Sequence, residues 1–163
     1  MILVSACLIG INCRYDYGNE LYPKLLNFLR HKAYLPICPE QLGGLSTPRC
    51  PAVIMGGDGF DALMLNARLI NEKGEDVTFN FLKGAKKALE LAQAFDVSTC
   101  YLKEKSPSCG VRLVYSDKGV ISGCGVTTAL LLKNGYKVIG VNGGETWLGS
   151  VKSVERDQGL EIL

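Results

Sequence analysis

Histidine is almost missing from this chain: its 163 residues include one, His31. A single imidazole, expected at the end of a helix, argues against a triad hydrolase. It reads as a solvated side chain favoured by the helix dipole rather than as a ligand. No two cysteines stand in C-x-x-C spacing, so no familiar closed metal motif is written in the sequence. Charge of one sign is missing too. Eighteen Lys and Arg face sixteen Asp and Glu, without a basic block or an acidic tail, which excludes an electrostatic partner such as duplex DNA and favours a small, roughly neutral ligand. No apolar run approaches bilayer length, and Met1 to Ala6 lacks the basic region and the length of a signal peptide. The expected setting is the cytoplasm, with neither nucleic acid nor membrane as partner. Gly56-Gly-Asp-Gly59 lacks the lysine of a phosphate loop, which makes a nucleotide-phosphate reading poor. There is no internal repeat or low-complexity tract.

What the chain does have is apolar content, 47% of residues, and seven cysteines. That apolar fraction buries a core without staples. An odd cysteine count argues against a closed disulfide framework, so the cysteines read as thiols or ligands. Cys100, inside an apolar strand, and Cys124, in a glycine-flanked turn, read as small buried hydrophobes.

Taken in order, Ile2 to Ala6 predicts a buried strand and Cys7 to Glu20 a loop. Pro23 opens a helix to about Lys32 with Leu25, Leu26 and Leu29 on one face, and Tyr34 to Ile37 returns as a strand. Three prolines and two adjacent glycines between Cys38 and Pro51 rule out regular structure for most of that stretch. Asp58 to Phe60 reads as a turn, Leu63 to Ile70 as extended and Asn71 to Gly74 as a tight turn. Asp76 is a plausible N-cap for a helix from Val77 to about Phe95, striped by Phe81, Ala85, Ala88 and Ala92. Ser98 to Leu102 is the third strand, Val111 to Tyr115 a short extended piece and Asp117 to Gly119 a turn. Val126 to Lys133 is a last helix, capped by Asn134-Gly135, and Lys137 to Val141 is a fourth strand. Residues 142–163 form a divergent tail.

Strands alternating with helices predict one compact three-layer α/β domain over residues 1–163, Rossmann-like, with a mostly parallel sheet of four or five strands. In a parallel sheet all carboxyl ends share one edge. Cys7, Cys38 and Cys109 each follow a strand and would meet there, far apart in sequence as they are.

Three thiolates suit zinc or an iron–sulfur cluster. A cluster on three thiolates leaves one iron open, a Lewis acid for a soft substrate sulfur. A closed zinc site would need Cys13 or Cys50 as a fourth ligand and would make the protein a non-enzymatic binding module. A metal-free sulfurtransferase would instead use Cys109 as its nucleophile. Glu40 and Ser106, close in sequence to Cys38 and Cys109, are the candidate catalytic groups for moving a proton. Arg14, Asp16, Arg49 and Lys103 are the candidate substrate-binding residues. Arg14 with Asp16 also reads as an internal pair, and Arg49 as a pin for its loop.

Ser5-Ala-Cys7-Leu-Ile-Gly10 with Arg14-Tyr-Asp16, Cys38-Pro-Glu40 followed by Gly43-Gly-Leu-Ser-Thr-Pro-Arg49, and Leu102-Lys-Glu-Lys-Ser-Pro-Ser-Cys-Gly110 together resemble the thiouracil desulfidases, a bacterial family long catalogued as a domain of unknown function. The resemblance runs from about Met1 to Val141 and includes Glu75-Asp-Val-Thr78 and Gly84-Ala85. It implies a [4Fe-4S] cluster on Cys7, Cys38 and Cys109, with Glu40 and Ser106 handling protons. It also implies non-redox removal of sulfur from a thiolated pyrimidine base. Val53 departs from the family pattern, which usually has glutamate there, and Cys13 and Cys50 are thiols where relatives generally have none.

Overall fold

In a computed structural model, which describes residues 1–142, two four-stranded sheets are joined by shared helices. The first is all-parallel, in the order β2-β1-β5-β8: Tyr34–Ile37, Ile2–Ser5, Thr99–Lys103 and Lys137–Val141. Side chains alternate across it. Leu3, Cys100, Leu102 and Val138 turn to one face, against Ala88 and Ala92 of α4 (Thr78–Ala94) and Leu131 of α5 (Val126–Lys133). Val4, Tyr101 and Ile139 turn to the other, against Leu25 and Leu29 of α1 (Pro23–Leu29). Both faces are therefore apolar, as a parallel sheet requires. Pro36 is tolerated because β2 is an edge strand with one neighbour.

The second sheet was expected only as two extended runs, Leu63 to Ile70 and Val111 to Tyr115, without their pairing. Its order is β4-β3-β6-β7, made of Arg68–Asn71, Ala52–Met55, Leu113–Ser116 and Gly119–Ser122. The β3–β4 and β6–β7 pairs are antiparallel and the β3–β6 pair is parallel. The predicted extended run from Leu63 to Ile70 is corrected here: Gly59–Leu63 is α3, a short helix closed by a capping box between Asp58 and Asp61, and only Arg68 onward is strand. Ile54, Leu69 and Val114 of the second sheet pack on Phe81 and Ala85. Helix α4 thus serves one sheet with its first half and the other with its second. Its N-cap is Val77, one residue later than the expected Asp76 and without a side-chain cap, while Asp76 just before it accepts the Thr78 N–H at 2.9 Å.

Part of the stretch from Cys38 to Pro51 is also regular: Pro39–Leu42 forms α2. This turn lies directly on α4 through two glycines. A Cβ on Gly84 would come 2.0 Å from the Pro39 carbonyl oxygen, and one on Gly43 would come 2.0 Å from that of Asn80. The predicted tail after Asn142 lies outside the described residues.

Replacing glycine by alanine inside a helix ordinarily stabilises it by about 0.5–1 kcal/mol. At Gly84 the new Cβ meets backbone that cannot yield without moving α2. Gly84→Ala is expected to lower unfolding stability by roughly 1–3 kcal/mol, and chemical denaturation measures it.

Candidate functional site

The chain order places β2 on one side of β1 and β5 on the other. In an open parallel sheet the loops leaving two such neighbours diverge, and ligands bind in the crevice between them. After β1, Ser5 leads into a 3-10 turn, Ala6–Ile9, that carries Cys7 and ends at Gly10 in a left-handed conformation (φ 92°). After β2, Cys38 occupies the N-cap position of α2, so that Glu40 lies in the first turn of that helix.

The third loop, after β5, is held most elaborately. Ser106 Oγ accepts the N–H groups of Ser108 at 3.2 Å and Cys109 at 3.1 Å, forming the turn that presents the thiol. The loop then supplies the acceptors that the N-terminus of α5 needs. Val126 donates to the Pro107 carbonyl at 3.0 Å and Thr127 to that of Ser108 at 2.9 Å. Thr128 Oγ1 donates to the Cys109 carbonyl at 2.9 Å. Behind the loop, the buried Glu104 accepts backbone N–H groups from Val111, Arg112 and Leu113 at 3.1–3.2 Å and the Arg112 side chain at 3.1 Å.

These three loops enclose a cavity of about 560 Å³, within the usual range for a small-molecule site. Cys7, Cys38 and Cys109 all line it, as do Glu40 and Ser106, and as do Arg14, Arg49 and Lys103. Asp16 does not. It is half-exposed, accepts the Gly18 N–H at 3.0 Å and pairs with Arg14 at 3.3 Å, which orders the first loop. The Gly18 hydrogen bond first, and Arg14 with it, holds its carboxyl below the usual carboxylate range. Of its two expected roles, contact with substrate or an internal pair with Arg14, the structure describes the pair.

Arg49 is the pin for its loop. It lines the cavity, yet its donors go to the protein: Nε to Glu40 at 2.6 Å, Nη1 to Thr47 Oγ1 and the Ser46 carbonyl at 3.0 and 3.2 Å, Nη2 to the Cys13 carbonyl at 3.0 Å and Cys38 Sγ at 4.0 Å. With 6% of its side chain exposed, this fork orients Glu40 and Cys38 rather than receiving a ligand. Arg14 is engaged on two sides, by Asp16 and Glu20. Lys103 donates to the Glu104 carbonyl at 3.1 Å and lies 3.8 Å from Glu20. Burial lowers its pKa, against the pull of the neighbouring Cys7.

Burial pushes the Cys109 thiol up to about 12, opposed by a hydrogen bond with Ser5. The Cys38 thiol is also raised, chiefly by its hydrogen bond with Cys13 and then by burial. Cys13 is the fourth thiol of the cavity. Its bond with Cys38 draws it down, but that with Cys7 and burial outweigh this and bring it to about 11. Closely gathered, buried thiols resist ionising until a cation joins them, when coordination reverses the preference. Among the described residues, no three His, Cys, Asp or Glu side chains close on a single ion. A zinc with bonds of about 2.3 Å would need sulfurs about 3.8 Å apart. The cavity and its soft donors fit a larger cluster better than one ion, and the lysines near it suit a group of negative charge.

Sequence reading missed Ser5, Glu20, Glu104 and the cavity-lining Tyr15 and Tyr115. Ser5 had a signal, as the one polar residue in its apolar strand. Glu104, between two lysines in a turn, had none that distinguishes a buried carboxylate from a solvated one. Val53, the departure noted in the sequence, also lines the cavity.

The fold and the site define an α/β protein that gathers thiols at the switch point of a parallel sheet. A profile of the 2-thiouracil desulfurase family matches residues 2–142, and the chain belongs to that family. It is 46% identical over 145 residues to the uncharacterized protein YbbK of Bacillus subtilis (strain 168), covering 87% of this chain and 96% of that protein. Among solved structures it is similar to the [4Fe-4S]-dependent thiouracil desulfidase TudS, with 38% identity and a TM-score of 0.75 over 85% of this chain and 89% of that one.

Arg49→Met removes the partner of a mostly buried carboxylate and frees two loops at once. The expected loss is about 3 kcal/mol or more of unfolding free energy, measured by urea titration. Arg49→Lys should recover less than half of it, because an ammonium cannot fork to Glu40, Thr47 and the Cys13 carbonyl together.

Proposed function

We propose that this chain is a [4Fe-4S]-dependent, non-redox desulfidase that exchanges the thiocarbonyl sulfur of a thiolated pyrimidine base for oxygen. The observation that carries this reading is the convergence of thiols from three separate strand ends with a carboxylate and a hydroxyl on one cavity. Cys7, Cys38 and Cys109 would hold the cluster. Once bound, it supplies an iron without a protein ligand, a soft Lewis acid toward a thiocarbonyl sulfur.

The chain's own groups supply the rest. Glu40 is anchored through Oε2 by Arg49, which leaves Oε1 to accept the proton of the water that attacks the thiocarbonyl carbon. One water enters, the carbon–sulfur bond breaks, and the oxo base leaves with one sulfide, so that no electrons are exchanged. Ser106 Oγ already accepts two N–H groups, so its hydroxyl hydrogen is the part left to hold the ring. Tyr15 and Tyr115, each partly exposed on the lining, offer flat faces to a planar base. Lys103 and Arg14 keep the local potential positive.

The metal-free sulfurtransferase is disfavoured by the burial that raises Cys109, the wrong direction for a nucleophilic thiol acting alone. We place the protein in the reducing cytoplasm as a single domain, a setting that suits a chain with seven cysteines and no disulfide among the described residues.

Protein loaded with iron and sulfide under nitrogen is expected to release sulfide and uracil in equal amounts from 2-thiouracil. Glu40→Gln should lower kcat by about 10²–10⁴-fold with iron content retained. Serine at position 7, 38 or 109 should each reduce bound iron. Iron-loaded protein that yields no sulfide from any thiolated pyrimidine would overturn the substrate assignment.

A further inference from the structure

The proposed chemistry leaves one thiol of the cavity without a task. Cys13 is 2% exposed and lines the same cavity as the three proposed ligands. It is held in place at both ends of its peptide unit: its N–H donates to the Ile11 carbonyl at 2.8 Å, and its carbonyl accepts from Arg49 Nη2 at 3.0 Å and from Cys38 Sγ at 3.6 Å. The Cys38 sulfur thus lies directly against the Cys13 backbone.

We propose that Cys13 and Cys38 are a reversible oxidation site, joined as a disulfide when the cavity is without its cluster. Cys38 is the partner because one guanidinium nitrogen, Arg49 Nη2, holds the Cys13 carbonyl and faces Cys38 Sγ. The Cys38 thiol, raised as described above, reacts slowly with peroxide, and it is the entry point because it is part-exposed while Cys7, Cys13 and Cys109 are buried. A peroxide oxidises the Cys38 thiol to the sulfenic acid and departs as water. The Cys13 thiol then forms the S–S bond and expels a second water, its hydrogen leaving with the sulfenic hydroxyl. A dithiol reductant reverses the bond by exchange and is itself oxidised to a disulfide. The disulfide spares Cys38 from the irreversible sulfinic state. That this preserves a cluster ligand rests on the function proposed above; the bond itself does not.

The test treats cluster-free, full-length protein with a small excess of hydrogen peroxide at neutral pH and maps its peptides without reduction. The expected result is a Cys13–Cys38 linked peptide and two fewer free thiols than the seven cysteines present, both restored by dithiothreitol. In Cys13→Ser, and in the apolar Cys13→Ala, the same dose should leave on the order of tenfold more sulfinic acid at Cys38, read by mass. Absence of the linkage, a bridge between two of Cys7, Cys38 and Cys109, or equal overoxidation of Cys38 with and without Cys13 would overturn the proposal. No readout involves a thiobase or released sulfide, so a failure of the desulfidase reading shows separately.

Discussion

The constraint on which this molecule turns is the pairing of β1 with β5 in a sheet whose strand order reverses between them. Parallel pairing sends both strands' carboxyl ends to one edge, and the reversal opens a crevice there. The third wall follows from β2, paired with β1 on its other side. A site drawn from residues as distant as Cys7 and Cys109 needs no long excursion of the chain, only the right-handed crossovers that such a sheet already has.

Topology brings the loops close; polar satisfaction fixes them. Each thiol-bearing segment is held by a different device: a 3-10 turn closed by a left-handed glycine, a helix N-cap beside a buried guanidinium, and a serine-capped turn docked on the opening of α5. Two of these devices use charges buried by the protein and wholly committed to it, Arg49 and Glu104. Buried charges of this kind are costly to leave unpaired, so the loops can be displaced only by breaking several bonds together. This rigidity suits a site that must present soft sulfur donors at fixed separations.

Much of the main sheet could be read from the sequence because it rests on local pattern. The strand at Tyr34–Ile37, the long helix with its Phe81 to Ala92 stripe, and Val126–Lys133 with its Asn134-Gly135 ending were all expected and are all present. The second sheet was hidden for physical reasons. Ala52–Met55 follows a proline-rich stretch and pairs with Arg68–Asn71 only across the helix Gly59–Leu63, while Gly119–Ser122 is largely exposed and lacks an apolar alternation. The gathering of Cys7, Cys38 and Cys109 on one cavity was legible because it follows from parallel pairing. For Asp16 and Arg49 two readings stood open, a ligand or an internal partner, because nothing in their spacing tells a side chain that meets a ligand from one spent on its own backbone.

Glu104 sits against Gly140 so closely that a Cβ on the glycine would lie 2.1 Å from its carboxylate oxygen. The two positions are thereby bound into a single heritable unit. A side chain at 140 demands a shorter residue at 104, and a shorter residue at 104 deserts three N–H groups at once. Drift at either position alone is closed off, and over evolutionary time the pair can alter only in concert, if it alters at all.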